Sequence, residues 1–260
     1  SSLWFYLIYA KFPLIIFDMA LGILLALSLA AYQKNILLIW MFNPVTLWAT
    51  AAIGQADIYP AFFVVLAWFL LKKGQLNWAA LSIGAGGAIK SAPFLLIPLI
   101  LAQTKNWTER IILLILSVIP YLLTVIPYLP VQEFRQEALL APQLSKMFYA
   151  TIPLSGIESV FIAPAILIVL YLLYFSKKRG AEDFLIFTIA IFLLTLVFTH
   201  FHMQWFLWVT PFLIVWFTNN WYGVYKLAAV FLFLSWGLML FLFESSLQMK
   251  LFAPIFPVLD

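Results

Sequence analysis

The sequence predicts an all-α protein: a polytopic bundle of transmembrane helices, with about eight full spans and one broken or re-entrant pair. Three observations predict it: 66% of the 260 residues are apolar, only 9% are charged, and the mean hydropathy is +1.08. A soluble domain is about half apolar and about one quarter charged. The apolar runs of about 20 residues fit helices, whereas barrel strands would be about 10 residues of alternating polarity.

Windows of about 19 residues place the predicted spans in chain order. They lie near residues 12–31, 36–53, 58–71, 111–130, 157–176, 184–201, 204–218 and 223–243. A further apolar segment, 76–104, carries Lys90 beside two prolines. As one helix it would put an ammonium group near the middle of the membrane, where charge is costly. As two arms of about a dozen residues each, it would enter and leave by one face.

The basic residues favour the broken pair. If both arms open to the cytoplasm, the positive-inside rule is satisfied, whereas a single crossing would put the cluster at 177–179 outside. The residues then on the cytoplasmic side are Lys34, Lys72, Lys73, Lys105, Arg110, Lys177, Lys178 and Arg179. The 54–57 turn, Lys90, the loop 131–156 and the 199–204 turn share the other side. That loop is either an ordinary external loop or an amphipathic segment lying in the interface.

Polar residues between apolar spans mark a site or a membrane edge, because they are expensive in lipid. Gln55 and Asp57 lie in such a turn. The Gln55 amide could bind a sugar or hydroxyl, and the Asp57 carboxylate could accept a proton; alternatively, Asp57 caps the next helix. Lys90 lies in a glycine-rich arm and could bind a phosphate as a point charge. Alternatively, Lys90 lies at a helix end and its side chain extends to carry the ammonium group to the membrane surface.

The turn that carries His200, His202 and Gln204 is very short and predicted to be external. These side chains could bind phosphate or hydroxyl groups, or the segment simply fills the aromatic belt with Trp205 and Trp208. We expect no metal, because no nearby carboxylate or cysteine completes a ligand set. The chain has no cysteine, which excludes disulfides, and its net charge of +4 is unevenly placed and gives no sign of nucleic-acid binding.

Lys11 and Asp18 bracket the start of the first span. Their spacing is about two helical turns, so they share a helix face without touching. Asp18 lies inside the membrane, where a carboxylate needs a partner or a wet cavity. Asn43-Pro44 is predicted to kink its helix.

These motifs, taken in order, resemble those of the GT-C glycosyltransferases. The order is Lys11-Phe12-Pro13 with Asp18, Phe42-Asn43-Pro44, Gly54-Gln55-Ala56-Asp57, Lys90-Ser91-Ala92-Pro93 and His202-Met203-Gln204-Trp205. The chain looks most like the mannosyl- and glucosyltransferases that use polyprenyl- or dolichyl-phosphate sugars, including the GPI mannosyltransferase I type and its bacterial counterparts. The likeness covers residues 15–105 and 195–215.

The resemblance implies transfer of a sugar, with mannose favoured, from a polyprenyl- or dolichyl-phosphate donor to an acceptor hydroxyl on a glycan, lipid or protein. In that family a carboxylate activates the acceptor and basic residues stabilise the departing phosphate. Lys90, His200 and His202 would then lie near the phosphate, and Gln55 and Asp57 near the sugar or acceptor. Gln204 and Lys11 are further substrate-binding candidates. No cofactor is expected.

The resemblance also places the family's base in a large first external loop, which this chain does not show. We therefore expect residues 1–260 to be a single transmembrane domain, the C-terminal portion of a longer chain. Either the catalytic base lies outside this sequence, or Asp57 or Asp18 substitutes for it. The expected location is a bacterial or archaeal plasma membrane, or else the endoplasmic reticulum, with the site on the non-cytoplasmic side. Two other classes remain: a transporter or lipid-linked-sugar flippase, with broken helices in both halves, and a non-catalytic scaffold.

Overall fold

The computed structural model describes residues 2–29, 32–139, 147–176, 180–199 and 202–242. These residues are mainly helical, which confirms the all-α prediction at the level of fold class. The chain groups into two compact units: unit 1 comprises Ser1–Ile58 and His202–Asp260, and unit 2 comprises Tyr59–Phe201. That the 260 residues form a single domain stays a prediction.

Helices make up most of both units. Within the described ranges the α-helices are α1 (Ser2–Ser28), α2 (Gln33–Met41), α3 (Pro44–Thr46), α4 (Ile58–Lys72), α5 (Leu76–Ile89), α6 (Ile97–Leu101), α7 (Trp107–Val125), α8 (Gln132–Phe134), α9 (Ile162–Ser176), α10 (Ala181–Phe198), α11 (Thr210–Asn219) and α12 (Gly223–Leu242). Further turns are π-helical at Leu47–Ala52 and Arg135–Leu139, and 3-10 helical at Ala92–Leu96, Ile126–Tyr128 and Met203–Trp208. The strands are β1 (Thr151–Ser155) and β2 (Glu158–Phe161).

Five helical stretches among the described residues are long and apolar enough to cross a membrane, judged by length and composition. They are Tyr9–Ser28, Gln33–Ala52, Trp107–Tyr128, Ala181–Phe198 and Gly223–Leu242. This is fewer than the eight predicted spans, and four further apolar helices are shorter, at 10–17 residues. One reason is local: Pro211 lacks an N–H and starts α11, so the segment before it winds as a 3-10 helix instead.

A β-hairpin replaces part of another predicted span. Thr151 pairs with Phe161 and Ile152 with Val160, so the residues predicted to begin the span 157–176 form a strand. Gly156, at φ 54°, supplies the left-handed conformation that the turn needs. The residues of both strands are exposed. The start of the predicted span is therefore a strand, because β-branched residues and a glycine turn favour a hairpin there.

Close helix packing organises unit 2. A Cβ on Gly84 would lie 2.7 Å from the carbonyl oxygen of Ser117, so the missing side chain lets α5 and α7 approach closely. The segment 76–104 is broken, because α5 ends at Ile89 and a 3-10 helix begins at Ala92. The second arm packs back against α5, where Gly87 makes room for the Phe94 ring. That both arms open to one membrane face stays a prediction.

A second break lies in unit 1, where α2 ends at Met41 and α3 begins at Pro44. The predicted kink at Asn43-Pro44 is present as this break. Asn43 caps the new helix, since its Oδ1 accepts hydrogen bonds from Val45 N at 2.9 Å and Thr46 N at 3.4 Å. The chain then continues as the π-helix Leu47–Ala52, which brings the polar turn 54–57 to the end of this span.

Candidate functional site

Lys11 joins the start of one candidate span to the end of the next. Its Nζ donates to the carbonyl oxygens of Ala51 and Ala52, both at 2.8 Å. These carbonyls end the π-helix, and carbonyls at a helix end need partners from outside the helix. Short π-helical turns are rare and frequently lie at functional sites. The polar turn 54–57, which follows the π-helix, therefore lies at one end of unit 1, where these two spans meet.

Gly54 and Gln55 turn the chain away from the π-helix. Gly54 has φ 70°, and Gln55 N donates to Ala49 O at 2.8 Å. The Gln55 side chain is half-buried, and its amide has no hydrogen-bond partner within the described ranges. The amide can both donate to and accept from a hydroxyl group. Its position fits the predicted substrate-binding role, which stays a prediction.

Asp57 is bonded to a residue far along the chain. Its side chain is only 2% exposed, and its Oδ1 accepts a hydrogen bond of 2.8 Å from the Trp208 indole Nε1. A carboxylate taken out of water is costly unless it is paired or hydrogen-bonded. The bond therefore stabilises the buried carboxylate and fixes the orientation of the indole.

An aromatic row continues from this bond. Trp208 stacks on Trp205, with ring centroids 5.1 Å apart and an interplanar angle of 15°. Trp205 in turn meets the His202 ring edge-on, at 4.8 Å and 67°. We call Asp57, Trp208, Trp205 and His202 the aromatic row. It leads from a buried carboxylate to a half-buried imidazole.

Trp205 and Trp208 are not among the predicted site residues, because tryptophans at a membrane interface are typical of the aromatic belt. The spacing of these residues indicates that their side chains lie together. Residues 202, 205 and 208 are three apart, and a 3-10 helix has three residues per turn, so side chains at this spacing lie on one face. A helical period of 3.6 does not place them together in the same way.

Trp236 of α12 anchors the 3-10 helix. Its Nε1 donates to Met203 O at 3.2 Å, and its ring meets Trp48 of the π-helix edge-on at 5.9 Å. The π-helix and the 3-10 helix are thus held by the same indole. Gln204 is half-buried, and its amide has no hydrogen-bond partner in the part of the chain that the structure describes.

Asp18 forms a second polar cluster in unit 1. Its Oδ1 accepts from Trp40 Nε1 at 3.1 Å and from Thr46 Oγ1 at 3.4 Å. Gly22 makes room for this indole, since a Cβ there would lie 2.7 Å from Trp40 Cδ1. The Asp18 carboxylate was expected to need a partner, and Trp40 and Thr46 supply it. Lys11 and Asp18 both bond the segment 33–52, as a shared helix face predicts.

Lys90 belongs to unit 2, where it is half-buried and extended, with its backbone N bonded to Gly86 O at 3.0 Å. Its convergence with Asp57 and His202 stays a prediction. His200 lies outside the described residues. No group of three histidines or carboxylates arranged to hold a metal ion occurs within the described ranges.

Comparison of the chain with protein-family models, with curated proteins and with solved structures finds no match.

Proposed function

We propose that the chain is the membrane part of a glycosyltransferase that moves a sugar, mannose for preference, from a polyprenyl- or dolichyl-phosphate donor to an acceptor hydroxyl. The observation that carries the proposal is the aromatic row at one end of unit 1. The motif resemblance supports the same function. In this proposal the bundle is GT-C-like, and the site faces the non-cytoplasmic side of a bacterial or archaeal plasma membrane.

The row suits a sugar phosphate for three reasons. The indole of Trp205 offers an apolar face on which the C–H groups of a sugar ring can pack. His202 has ring N–H groups that can bond phosphate oxygens, and the amides of Gln55 and Gln204 can bond sugar hydroxyls. Asp57 fixes Trp208 and thereby the surface on which Trp205 stacks. We therefore assign Asp57 a positioning role.

The reaction needs one proton acceptor. The acceptor oxygen attacks the anomeric carbon, the bond from that carbon to the phosphate oxygen breaks, and its electron pair leaves with the lipid phosphate. The acceptor's proton passes to a carboxylate. Asp57 is almost completely buried, whereas Asp18 is half-buried, so Asp18 is the better candidate of the two for this proton. Lys11 donates to two carbonyls and retains one further N–H donor for substrate.

The test is transfer from radiolabelled polyprenyl-phosphate mannose in membranes that hold the full-length protein. His202→Ala and Lys90→Ala should each lower the transfer rate at least about tenfold, because each removes a proposed phosphate contact. Lys105→Ala is the matched control, since Lys105 is exposed on a loop predicted to face the cytoplasm. Wild-type rates in both site variants would overturn the assignment of these residues, and absence of transfer by the wild type with every donor would overturn the function.

A transporter is the second candidate, favoured by one observation. Each unit contains a broken helix, at Phe42–Asn43 in unit 1 and at Lys90–Ser91 in unit 2, and broken helices in both halves are typical of transporters. Asp18 adds a carboxylate within a candidate span. The same labelled lipid distinguishes the two functions in proteoliposomes. Movement of the label between leaflets without a new glycoside favours a flippase, and a new glycoside favours the transferase.

A further inference from the structure

A large cavity lies in unit 1 at the end opposite to the aromatic row. Its volume is about 980 Å³, and it is bounded by α2, α11 and α12. Tyr32 and Asn35 line it where α2 begins, and Asn219 lines it where α11 ends. The aromatic row instead lies where the candidate span Gln33–Ala52 ends and where α11 starts. The cavity is therefore separate from the proposed sugar site.

The depth of the cavity matches one leaflet of a bilayer. It extends from Tyr32, just before α2, to Asn43, just after it, and the nine residues of α2 rise about 14 Å. The hydrocarbon core of a bilayer is about 30 Å thick, so the cavity reaches from one membrane face to about the midplane. Its walls in this part are mainly apolar, from Ile39, Phe42, Ile214, Val230 and Phe233.

The mouth is polar and positively charged. Lys226 is four residues before Val230 and seven before Phe233, so it lies on the face of α12 that borders the cavity. Its Nζ is 5.8 Å from the ring centroid of Trp221, which also lines the cavity. Lys34 adjoins Asn35 at the start of α2. The sequence stretches that bound the cavity, 32–44 and 214–233, contain these two lysines and no acidic residue.

One buried polar group points to an occupant. Asn43 lines the deep end of the cavity and is only 6% exposed. Its Oδ1 is used as the helix cap, and its Nδ2 has no hydrogen-bond partner among the residues that the structure describes. The Nδ2 group keeps some access to the cavity, where an occupant that accepts a hydrogen bond could bond it.

We propose that this cavity binds a phospholipid with an anionic head group from the surrounding bilayer. One acyl chain fills the apolar part, an oxygen of the lipid accepts from Asn43, and the phosphate lies at the mouth near Lys226. The predicted orientation puts the mouth on the cytoplasmic side, whose leaflet is rich in anionic lipid, and basic pockets between spans on that side bind such head groups.

The experiment uses the full chain, purified in detergent and stripped of lipid. Phosphatidylglycerol or phosphatidylcholine with identical chains is added in mixed micelles, and retained lipid is counted by native mass spectrometry while Tm is recorded. A ligand that binds only the folded state raises Tm. We expect phosphatidylglycerol to be retained and to raise Tm more than phosphatidylcholine does. Equal effects of the two lipids on the wild type would overturn the proposal.

Two kinds of variant locate the site. Ala229→Phe fills the cavity and should remove both lipid retention and the rise in Tm, whereas Leu238→Phe, on an exposed part of the same helix, should keep both. Lys226 is exposed, so Lys226→Gln and Lys226→Glu test the charge without altering the packing. Each should abolish the preference for phosphatidylglycerol, and Lys105→Gln should retain it. An unchanged preference in both Lys226 variants would refute the site.

A competition experiment tests the identity of the lipid. Polyprenyl phosphate shares an anionic phosphate and an apolar chain with the proposed occupant. If an equimolar amount displaces phosphatidylglycerol from the wild type in native mass spectra, the cavity belongs to the sugar donor and the phospholipid assignment is wrong. Retention of phosphatidylglycerol supports the assignment. This result is independent of the sugar-transfer assay.

Discussion

Asp57 and Trp208 are 151 residues apart in the chain, yet the indole Nε1 donates to the carboxylate at 2.8 Å. Both side chains are buried. The bond joins the turn after one candidate span to the 3-10 helix before α11, and it fixes one end of the aromatic row. The row therefore depends on a contact between distant parts of the sequence.

Removing the carboxylate should destabilise the protein. Asp57→Ala leaves the buried Trp208 N–H without its acceptor, which costs about 1–3 kcal/mol. We expect the Tm of the detergent-solubilised protein to fall. Asp57→Asn retains an oxygen acceptor, so its Tm should fall less than that of Asp57→Ala. Glu182→Gln is the control, because Glu182 is exposed and its substitution should leave Tm unchanged. A wild-type Tm for Asp57→Ala would contradict the role assigned to this bond.

Trp205 should matter for substrate more than for folding. It is half-buried, and its ring contacts those of His202 and Trp208 in the row. Trp205→Ala should raise the KM for the lipid-linked sugar at least about tenfold, and Trp205→Phe should restore part of the affinity by keeping an aromatic face. Trp107→Ala, at an indole that is 73% exposed, should leave KM unchanged. Equal KM values for Trp205→Ala and the wild type would show that the aromatic row does not bind the substrate.

Lys11 should stabilise the end of the π-helix. Lys11→Met removes two hydrogen bonds from a charged donor to main-chain carbonyls, and bonds of this kind contribute about 1.5–3 kcal/mol each in protected sites. Because Lys11 is only half-buried, we expect a net loss near the lower value. Thermal unfolding measures it, with Lys105→Met as the exposed control. An unchanged Tm would show that water replaces these bonds.

The polar residues of the site were predictable because each is costly in a membrane. Asp18, Asp57 and His202 stand out from their apolar surroundings, and the break at Asn43-Pro44 follows from the missing N–H of proline. The partner of Asp57 was not predictable, because it lies 151 residues away and is chosen by tertiary packing. The hairpin was not predictable for a different reason: the short segment before α9 mixes β-branched, apolar and polar residues, and such a segment fits either a helix or a strand.

Gly84 should tolerate a methyl group poorly. A Cβ there would lie 2.7 Å and 2.9 Å from the main-chain oxygens of Ser117 and Leu116, which cannot move without shifting α7. Gly84→Ala should therefore lower Tm despite the better helix propensity of alanine. Gly237→Ala is the matched control, because a Cβ at this position in α12 meets nothing within 4 Å. It should keep or slightly raise Tm, and a lower Tm in both variants would refute the packing argument.

The orientation of the site can be tested by labelling, because residues 1–260 contain no cysteine and an introduced thiol is unique among them. Gln204→Cys lies in the half-buried part of the turn that precedes α11, and Lys105→Cys lies on an exposed loop at the other predicted face. In intact cells, a membrane-impermeant maleimide should label the first and spare the second, since the positive-inside rule puts Lys105 in the cytoplasm. Permeabilised cells supply the control, where both thiols should react. The reverse pattern in intact cells would place the aromatic row on the cytoplasmic side and rule out a donor sugar bound from the outer face.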